Sequence, residues 1–118
     1  MGKEDEILDF FHSVNSRDLE KMAGLLTEST AFYFPKTQPL IGRGRILKFF
    51  RILFRQYPAL SFEVERVIIQ GTAAAVHWTN EGVNRRQIPY ENEGVTLLKM
   101  EGGKIVFMSD FFKDTEKF

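Results

Sequence analysis

The sequence contains no cysteine, so disulfide bonds and thiolate chemistry are excluded and no secreted disulfide framework is indicated. The chain also lacks a net charge, because 16 Lys and Arg residues are balanced by 16 Asp and Glu residues. A chain without net positive charge exerts no general attraction on nucleic acid. No apolar stretch approaches the ~20 residues of a membrane span, and the acidic start of the chain fits no signal peptide. We therefore expect a cytoplasmic protein that binds neither nucleic acid nor membrane.

Histidine is scarce, which argues against a metal site. His12 and His77 are the only two, they fall on different predicted elements, and neither has a carboxylate at ligand spacing. A zinc site requires three or four converging ligands. The segment Gly42-Arg43-Gly44 lacks the further glycine and the preceding strand of a phosphate-binding loop, and no nucleophile elbow is present. The sequence thus predicts neither a metal nor a cofactor.

Phenylalanine, by contrast, is abundant: the chain has 12 Phe among its 118 residues, and 43% of it is apolar. This length and composition predict one domain, residues 1–118, built around one core. Apolar residues recur at positions i, i+3, i+4 and i+7 between Ile7 and Val14, as in an amphipathic helix. The same periodicity predicts a second helix over residues 19–26. A third is predicted over residues 45–56, after Gly42-Arg43-Gly44 and before Pro58, with apolar positions on more than one stripe.

The second half of the chain has the pattern of β-strands. Runs rich in β-branched and aromatic residues predict strands over residues 30–34, 61–69, 72–82, 90–100 and 104–112. Glu101-Gly102-Gly103 joins the last two runs and predicts a β-hairpin. Helices followed by a run of strands are typical of an α+β domain in which helices cover one face of a curved, mostly antiparallel sheet.

Strand alternation sorts the side chains into two faces. The predicted inward set forms an apolar chamber with three polar groups: Trp78, Asn80, Thr96, Met108, Asp110 and Phe112. This composition is typical of a small-molecule pocket. The opposite face is too apolar for free exposure and predicts a homodimer through the outer side of the sheet, by way of Val95, Leu97, Phe107 and Phe111. On the last strand, strict alternation places Val106 inward and Ile105 outward.

Several short motifs, in this order and spacing, resemble a known family: Asn15–Glu20, Ile41–Ile46 with Phe49-Phe50, Tyr90–Gly94, Gly103–Ile105 and Ser109–Thr115. The chain resembles the nuclear-transport-factor-two-like superfamily, on the side of the SnoaL-like polyketide cyclases and ketosteroid isomerases. The resemblance implies a cone-shaped barrel, in which a strongly curved, mostly antiparallel sheet wraps around three N-terminal helices. It further implies a deep cavity and commonly a homodimer. Members of the family include isomerases, cyclases, dehydratases and epoxide hydrolases, and also proteins without catalysis.

The catalytic residues of these relatives do not carry over. By motif matching, the base of a ketosteroid isomerase falls at Phe34, its tyrosine at Phe10 and its protonated aspartic acid at Thr96. None of these side chains can perform that chemistry, which requires a carboxylate base and an oxyanion hole. The Arg and Asp pair of the epoxide hydrolases is also missing near residues 78–80. Ketosteroid isomerase activity is therefore not expected.

Asp110 is the one carboxylate in an otherwise apolar strand, and we predict that it is a general acid/base in the pocket. The alternative is a structural carboxylate bonded to Arg86, to a helix N-terminus or to Tyr90.

The predicted ligand is a small apolar or ring-containing molecule. Thr96, Asn80 and Tyr90 would orient its carbonyl or hydroxyl group. The apolar walls would come from Phe34, Phe50, Trp78, Met108 and Phe112. The function predicted from these residues is a cofactor-free isomerase, cyclase or dehydratase, and the alternative is a non-catalytic binding or dimerisation module.

Overall fold

The computed structural model describes residues 2–115. Within this range the chain forms three helices and six strands: α1 (Lys3–Asn15), α2 (Leu19–Leu25), β1 (Leu26–Tyr33), β2 (Leu40–Ile41), α3 (Arg43–Gln56), β3 (Ser61–Gln70), β4 (Ala73–Val83), β5 (Pro89–Glu101) and β6 (Lys104–Phe112). Among these described residues, no helix combines the length and the apolar character that crossing a membrane requires.

The strands form one sheet in the order β2-β1-β6-β5-β4-β3. All neighbouring pairs are antiparallel except β1 and β6, which run parallel. The sheet curls but does not close, since β2 and β3 remain as its two edges. The helices cover its inner face, so the predicted α+β class and mostly antiparallel sheet are confirmed.

Strand β1 begins earlier than predicted. Leu26 has the spacing of the second helix, but that helix ends at Leu25 and Leu26 already pairs with Ile105 of β6. The two-residue strand β2 was missed, because Leu40 and Ile41 become a strand only by pairing with Phe32 and Ala31. Both differences arise from strand pairing, which the local sequence does not encode.

A β-bulge overturns the predicted alternation on β6. Lys99 lies opposite Phe107, whereas Met100 lies opposite Ile105, so Val106 is the extra residue. As a result Ile105 and Met108 are both fully buried, and Val106 is only partly buried. The prediction that Val106 points inward and Ile105 outward was wrong at this position.

Phenylalanine rings fill much of the space between the helices and the sheet. Phe50 of α3 stacks on Phe32 of β1, with ring centroids 5.8 Å apart and planes 7° apart. Phe10 of α1 meets the edge of the Phe50 ring at 6.0 Å. Such contacts bury large apolar areas and favour close packing. The inner face of the sheet is therefore covered by a dense aromatic layer.

Candidate functional site

A chain of hydrogen bonds links three strands at the centre of the inner face. Trp78 of β4 donates from Nε1 to Oγ1 of Thr96 on β5, over 2.8 Å. The Thr96 hydroxyl donates in turn to Oδ1 of Asp110 on β6, over 2.6 Å. Thr96 and Asp110 are direct partners in the register of β5 and β6. The three residues therefore act as one unit that holds the carboxyl group in a defined orientation.

Gly94 makes room for this unit. A Cβ atom at Gly94 would lie 2.8 Å from the Trp78 ring and 2.4 Å from the carbonyl oxygen of Phe111. Neither the indole nor the strand backbone can move aside cheaply at such distances. Glycine is thus required here so that the Trp78 ring can lie against residue 94 and donate to Thr96.

Burial changes the acidity of Asp110. Although the residue as a whole keeps a small exposed fraction, the carboxyl group is desolvated, and burial raises the pKa of Asp110 to about 7. The hydrogen bond from Thr96 stabilises the carboxylate and lowers this pKa, but by less than burial raises it. Among residues 2–115, Thr96 is the only hydrogen-bond partner of the Asp110 carboxyl group, so none of the structural partners weighed from the sequence holds it. Asp110 can therefore both accept and release a proton near neutral pH.

The space beside Asp110 is small. Its cavity has a volume of about 20 Å³, which is enough for about one water molecule. It is lined by Phe10, Phe11, Val14, Phe32, Phe50, Phe62, Thr96, Met108 and Asp110. The substrate-sized cavity expected from the sequence is therefore not found beside Asp110, because phenylalanine rings occupy that volume.

Some of the other predicted site residues line this cavity and others do not. Phe50, Thr96 and Met108 line it together with Asp110. Phe112 packs edge-on against Trp78 with ring centroids 5.5 Å apart, and Phe34 packs on Phe112 at 5.0 Å. Neither of these two rings lines the cavity itself.

Asn80 and Tyr90 do not line the Asp110 cavity. The Tyr90 hydroxyl accepts a hydrogen bond from Asn92 Nδ2 over 3.2 Å, and its ring lies 4.9 Å from that of Tyr57. Burial raises the pKa of Tyr90 to about 12, so this hydroxyl stays protonated at neutral pH. Tyr90 belongs to a separate polar cluster at the far end of β5.

Sequence reasoning missed five residues that line the cavity. The sequence predicts Phe10, Phe11 and Val14 on the apolar face of a helix, with Phe10 also at the position of an isomerase tyrosine by motif matching. It predicts Phe32 and Phe62 only within strands. The signal was present in the i, i+3, i+4 spacing of α1, which predicts a buried face. It does not show which part of the sheet that face covers.

A larger space lies near the ends of β3, β4 and β5. This open groove has a volume of about 570 Å³ and is lined by Ser61, Phe62, Glu63, Thr79, Asn80, Glu81, Glu91, Asn92, Glu93, Lys113 and Asp114. Five of these residues are acidic and one is a lysine. Asn80 is only 5% exposed, and its Oδ1 accepts no hydrogen bond from the described residues.

The outer face of the sheet carries a different set of groups. His77 Nε2 and Glu93 Oε2 are bonded to each other, and Lys113 Nζ lies 2.8 Å from the other oxygen of Glu93. Beside them Leu97 is 41% exposed and Phe111 is 56% exposed. In the part of the chain that the structure describes, no three His, Cys, Asp or Glu side chains converge in a metal-binding arrangement.

Comparison with known families identifies a match over most of the chain. The family model described as the SnoaL-like domain matches residues 7–108. A search of curated protein sequences finds no significant match.

Solved structures with the same fold are numerous. An NTF2-like protein of unknown function from Burkholderia pseudomallei superposes with a TM-score of 0.88 at 16% identity, covering 97% of this chain and 92% of its own. TerC, co-crystallised with polyporic acid, superposes with a TM-score of 0.87 at 21% identity, covering 98% and 93%. A proposed SnoaL-like polyketide cyclase from Jannaschia sp. CCS1 gives a TM-score of 0.84 at 21% identity, covering 93% and 84%. At these identities the likeness shows a shared fold.

Proposed function

Because the chain belongs to the SnoaL-like domain family, we propose that it binds a small apolar, ring-containing molecule and moves a proton on it with Asp110. The observation that supports this function is the desolvated carboxyl of Asp110, held by Thr96 and facing a cavity, with its pKa raised to about 7. Perturbed carboxyl groups in apolar cavities are typical of acid/base sites. The co-crystal of TerC with polyporic acid is a precedent for small-molecule binding by this fold.

The proposed chemistry needs only one titrating group. An Asp110 carboxylate takes a proton from one position of the substrate and returns it at another, while the Thr96 hydroxyl keeps Oδ1 oriented. Isomerisation, cyclisation and dehydration share such a step. The proposal includes no metal and no cofactor.

Solvent deuterium exchange into ring ketones tests the proposal without knowledge of the natural substrate. The wild-type protein should catalyse exchange at the carbon next to the carbonyl of at least one ketone in a size series, as followed by NMR. Asp110→Asn should reduce this exchange by about 100-fold or more, since a general base contributes factors of that order. Asp9→Asn is the matched control, because Asp9 is an exposed acid on α1 whose only ion pair among residues 2–115 is with Lys21, 3.8 Å away. Exchange that survives Asp110→Asn undiminished would remove Asp110 from catalysis.

The second candidate function is a non-catalytic ligand-binding or dimerisation module. It is favoured by the small volume beside Asp110, about 20 Å³. It is also favoured by Phe10, Phe34 and Thr96 at the positions where relatives carry catalytic groups. Binding of ring compounds without exchange into any of them would support this function over the first.

We further propose that the outer face of the sheet pairs with a second copy of the chain. Leu97 and Phe111 are large apolar side chains that this face leaves exposed, which is costly in a monomer. Phe111→Asp should convert a dimer into a monomer in sedimentation velocity at micromolar concentration. Ile88→Asp should leave the dimer intact, since Ile88 is equally exposed but lies in the loop between β4 and β5. A monomeric wild-type protein would end this proposal.

A further inference from the structure

The charges of this chain balance overall, but they are not mixed evenly along it. Between Glu28 and Glu63 the sequence contains no acidic residue and six basic ones: Lys36, Arg43, Arg45, Lys48, Arg51 and Arg55. Five of these six cations belong to helix α3. A zero net charge therefore leaves room for a local positive surface, and such a surface attracts anionic partners whatever the total charge of the chain.

One face of α3 carries four exposed cations. At about 100° per residue they lie within an arc of about 120° around the helix axis. They are Arg45, Lys48, Arg51 and Arg55. Ile52 falls within the same arc and is 40% exposed. The opposite side of the helix packs into the core with the buried residues Ile46, Phe50 and Leu53. The helix therefore presents one continuous basic face with an isoleucine inside it.

These four cations contribute little to the stability of their own helix. Within residues 2–115 none of them forms an ion pair. Arg45 lies in the first turn, which has no acidic residue and where the helix macrodipole disfavours a positive charge. The dipole favours only Arg55, in the last turn, and Arg55 is repelled by Arg51 four residues before it. Helix stability therefore does not explain why these cations lie together.

The loop between β4 and β5 extends this face. The amide of Arg85 donates to the carbonyl of Gln56 over 2.9 Å, which holds the loop at the C-terminal end of α3. Arg85 and Arg86 are both exposed, and within the described range neither forms an ion pair. Ile88, in the same loop, is 53% exposed. We call these residues together the basic surface: Arg45, Lys48, Arg51, Ile52, Arg55, Arg85, Arg86 and Ile88.

The pairing of cations with exposed isoleucines selects the class of anionic partner. An anionic lipid surface attracts Lys and Arg side chains and also takes up apolar side chains at the level of its headgroups. Proteins that bind single-stranded nucleic acid supply aromatic side chains for base stacking, and the exposed arc of α3 contains none. Contacts with the phosphates of a duplex leave no role for Ile52 and Ile88. The basic surface therefore fits an anionic lipid surface best.

We propose that the basic surface docks this protein on membranes rich in anionic lipid, with Ile52 and Ile88 inserted among the headgroups. Such docking is peripheral and reversible. It needs neither a spanning segment nor a net positive charge, the two features whose absence led us to expect no membrane binding. It goes beyond the proposed function, and none of its residues lines the cavity beside Asp110.

Co-sedimentation with vesicles at low salt tests the docking. The wild-type protein should bind vesicles made of equal parts phosphatidylglycerol and phosphatidylcholine, and it should not bind vesicles of phosphatidylcholine alone. The double variant Arg51→Gln/Arg55→Gln should bind the anionic vesicles about 20-fold more weakly, since each cation near such a surface contributes a factor of about five. Added salt should weaken the wild type more than the variant. A wild-type protein that does not sediment with the anionic vesicles would overturn the docking.

Lys21→Gln/Arg66→Gln is the matched control. It removes the same charge from exposed positions on α2 and β3, outside the basic surface, and should bind as the wild type does. Thermal melting shows that each variant is folded at the temperature of measurement. Equal losses in the two double variants would overturn the docking, because binding would then follow the net charge of the protein and not the basic surface.

The two isoleucines test the insertion separately from the charge. Ile52→Ser/Ile88→Ser should weaken binding to the anionic vesicles several-fold and leave its dependence on salt unchanged, because only the apolar contribution is removed. Binding that this variant retains in full would overturn the insertion.

Two other occupants of the basic surface give different results. A DNA duplex that binds more tightly than the anionic vesicles at the same salt concentration, and displaces them, would overturn the choice of lipid. Self-association without vesicles that Arg51→Gln/Arg55→Gln abolishes in sedimentation velocity would overturn it too, and would assign the basic surface to the acidic groove of a second copy. All these measurements are independent of Asp110→Asn, so they stand or fall separately from the proton-transfer function.

Discussion

The interior around Asp110 and the groove at the ends of β3, β4 and β5 differ in almost every physical property. The interior holds the carboxyl group with a pKa raised to about 7, but only about 20 Å³ of space. The groove offers about 570 Å³ and many polar groups, yet its acids lie toward solvent. The carboxyl group with the raised pKa and the larger space therefore lie in different regions of the molecule. The difference teaches that the dense packing that raises the pKa of this carboxyl group also leaves little space beside it.

The largest effect is expected where the interior has no space for a single added carbon. Gly94→Ala should lower the free energy of unfolding by about 3 kcal/mol or more, because the new Cβ would lie 2.4 Å from the Phe111 carbonyl oxygen. Urea unfolding of the wild type and the variant measures this loss of stability. Gly24→Ala is the control, since a Cβ there meets nothing within 4 Å. If Gly94→Ala proved as stable as the wild type, the interior would be looser than the structure indicates.

A smaller change in the free energy of unfolding is expected when pH is varied, and it should come from the Asp110 carboxyl group in the interior. The pKa of Asp110 rises from its ordinary value of 3.8 to about 7 on folding, so the folded protein binds more protons than the unfolded chain between those values. This residue's contribution to stability is therefore fully present below about pH 4. It falls as pH increases toward 7, with a slope of order 1 kcal/mol per pH unit.

The measurement is urea unfolding of the wild type and of Asp110→Asn across this range. The variant should lack this component of the slope, so the difference in stability between the two proteins should change with pH. Glu81→Gln in the groove should retain the wild-type pH profile near neutrality. A constant difference between the wild type and Asp110→Asn would mean that the Asp110 carboxyl is as well hydrated as in the unfolded chain.

The smallest effect is expected in the groove. Glu81 and Glu91 lie directly opposite each other on β4 and β5, and like charges in that arrangement are destabilising. Glu81→Gln should raise the free energy of unfolding by about 0.2–0.5 kcal/mol at low salt, and the gain should vanish at high salt. Glu28→Gln should act in the opposite direction, since Glu28 pairs with Arg43 at 3.0 Å. A gain for Glu81→Gln that persists at high salt would point to a cause other than charge.

The fold was largely predictable from local pattern. The spacing of Ile7, Phe10, Phe11 and Val14 predicted α1, and the two glycines at 102 and 103 predicted the final hairpin, which the structure contains. What local pattern missed depends on pairing between distant segments. Strand β2 forms because Leu40 and Ile41 pair with β1. Val106 forms a β-bulge because the register between β5 and β6 shifts at this point.

The candidate site was predictable only in part. Alternation along β4 and β5 places Trp78, Asn80 and Thr96 on the buried face, and all three are buried in the structure. Asp110 stood out as a carboxylate in an apolar strand, but its partner could not be predicted. The hydrogen bond from Thr96 arises from the register of β5 on β6, and the cavity wall contributed by α1 and β3 arises from how the helices lie on the sheet.

By itself the amino-acid sequence determined the periodicities, and with them the number of helices, the hairpin and the alternation of faces along the strands outside the bulge at Val106, because these follow from local backbone geometry. Only the tertiary structure decided how much space remained inside. That volume is a small difference between the size of the enclosure and the size of the rings that fill it, so it depends on every packing contact at once. In this protein the space that remains beside Asp110 is enough for about one water molecule.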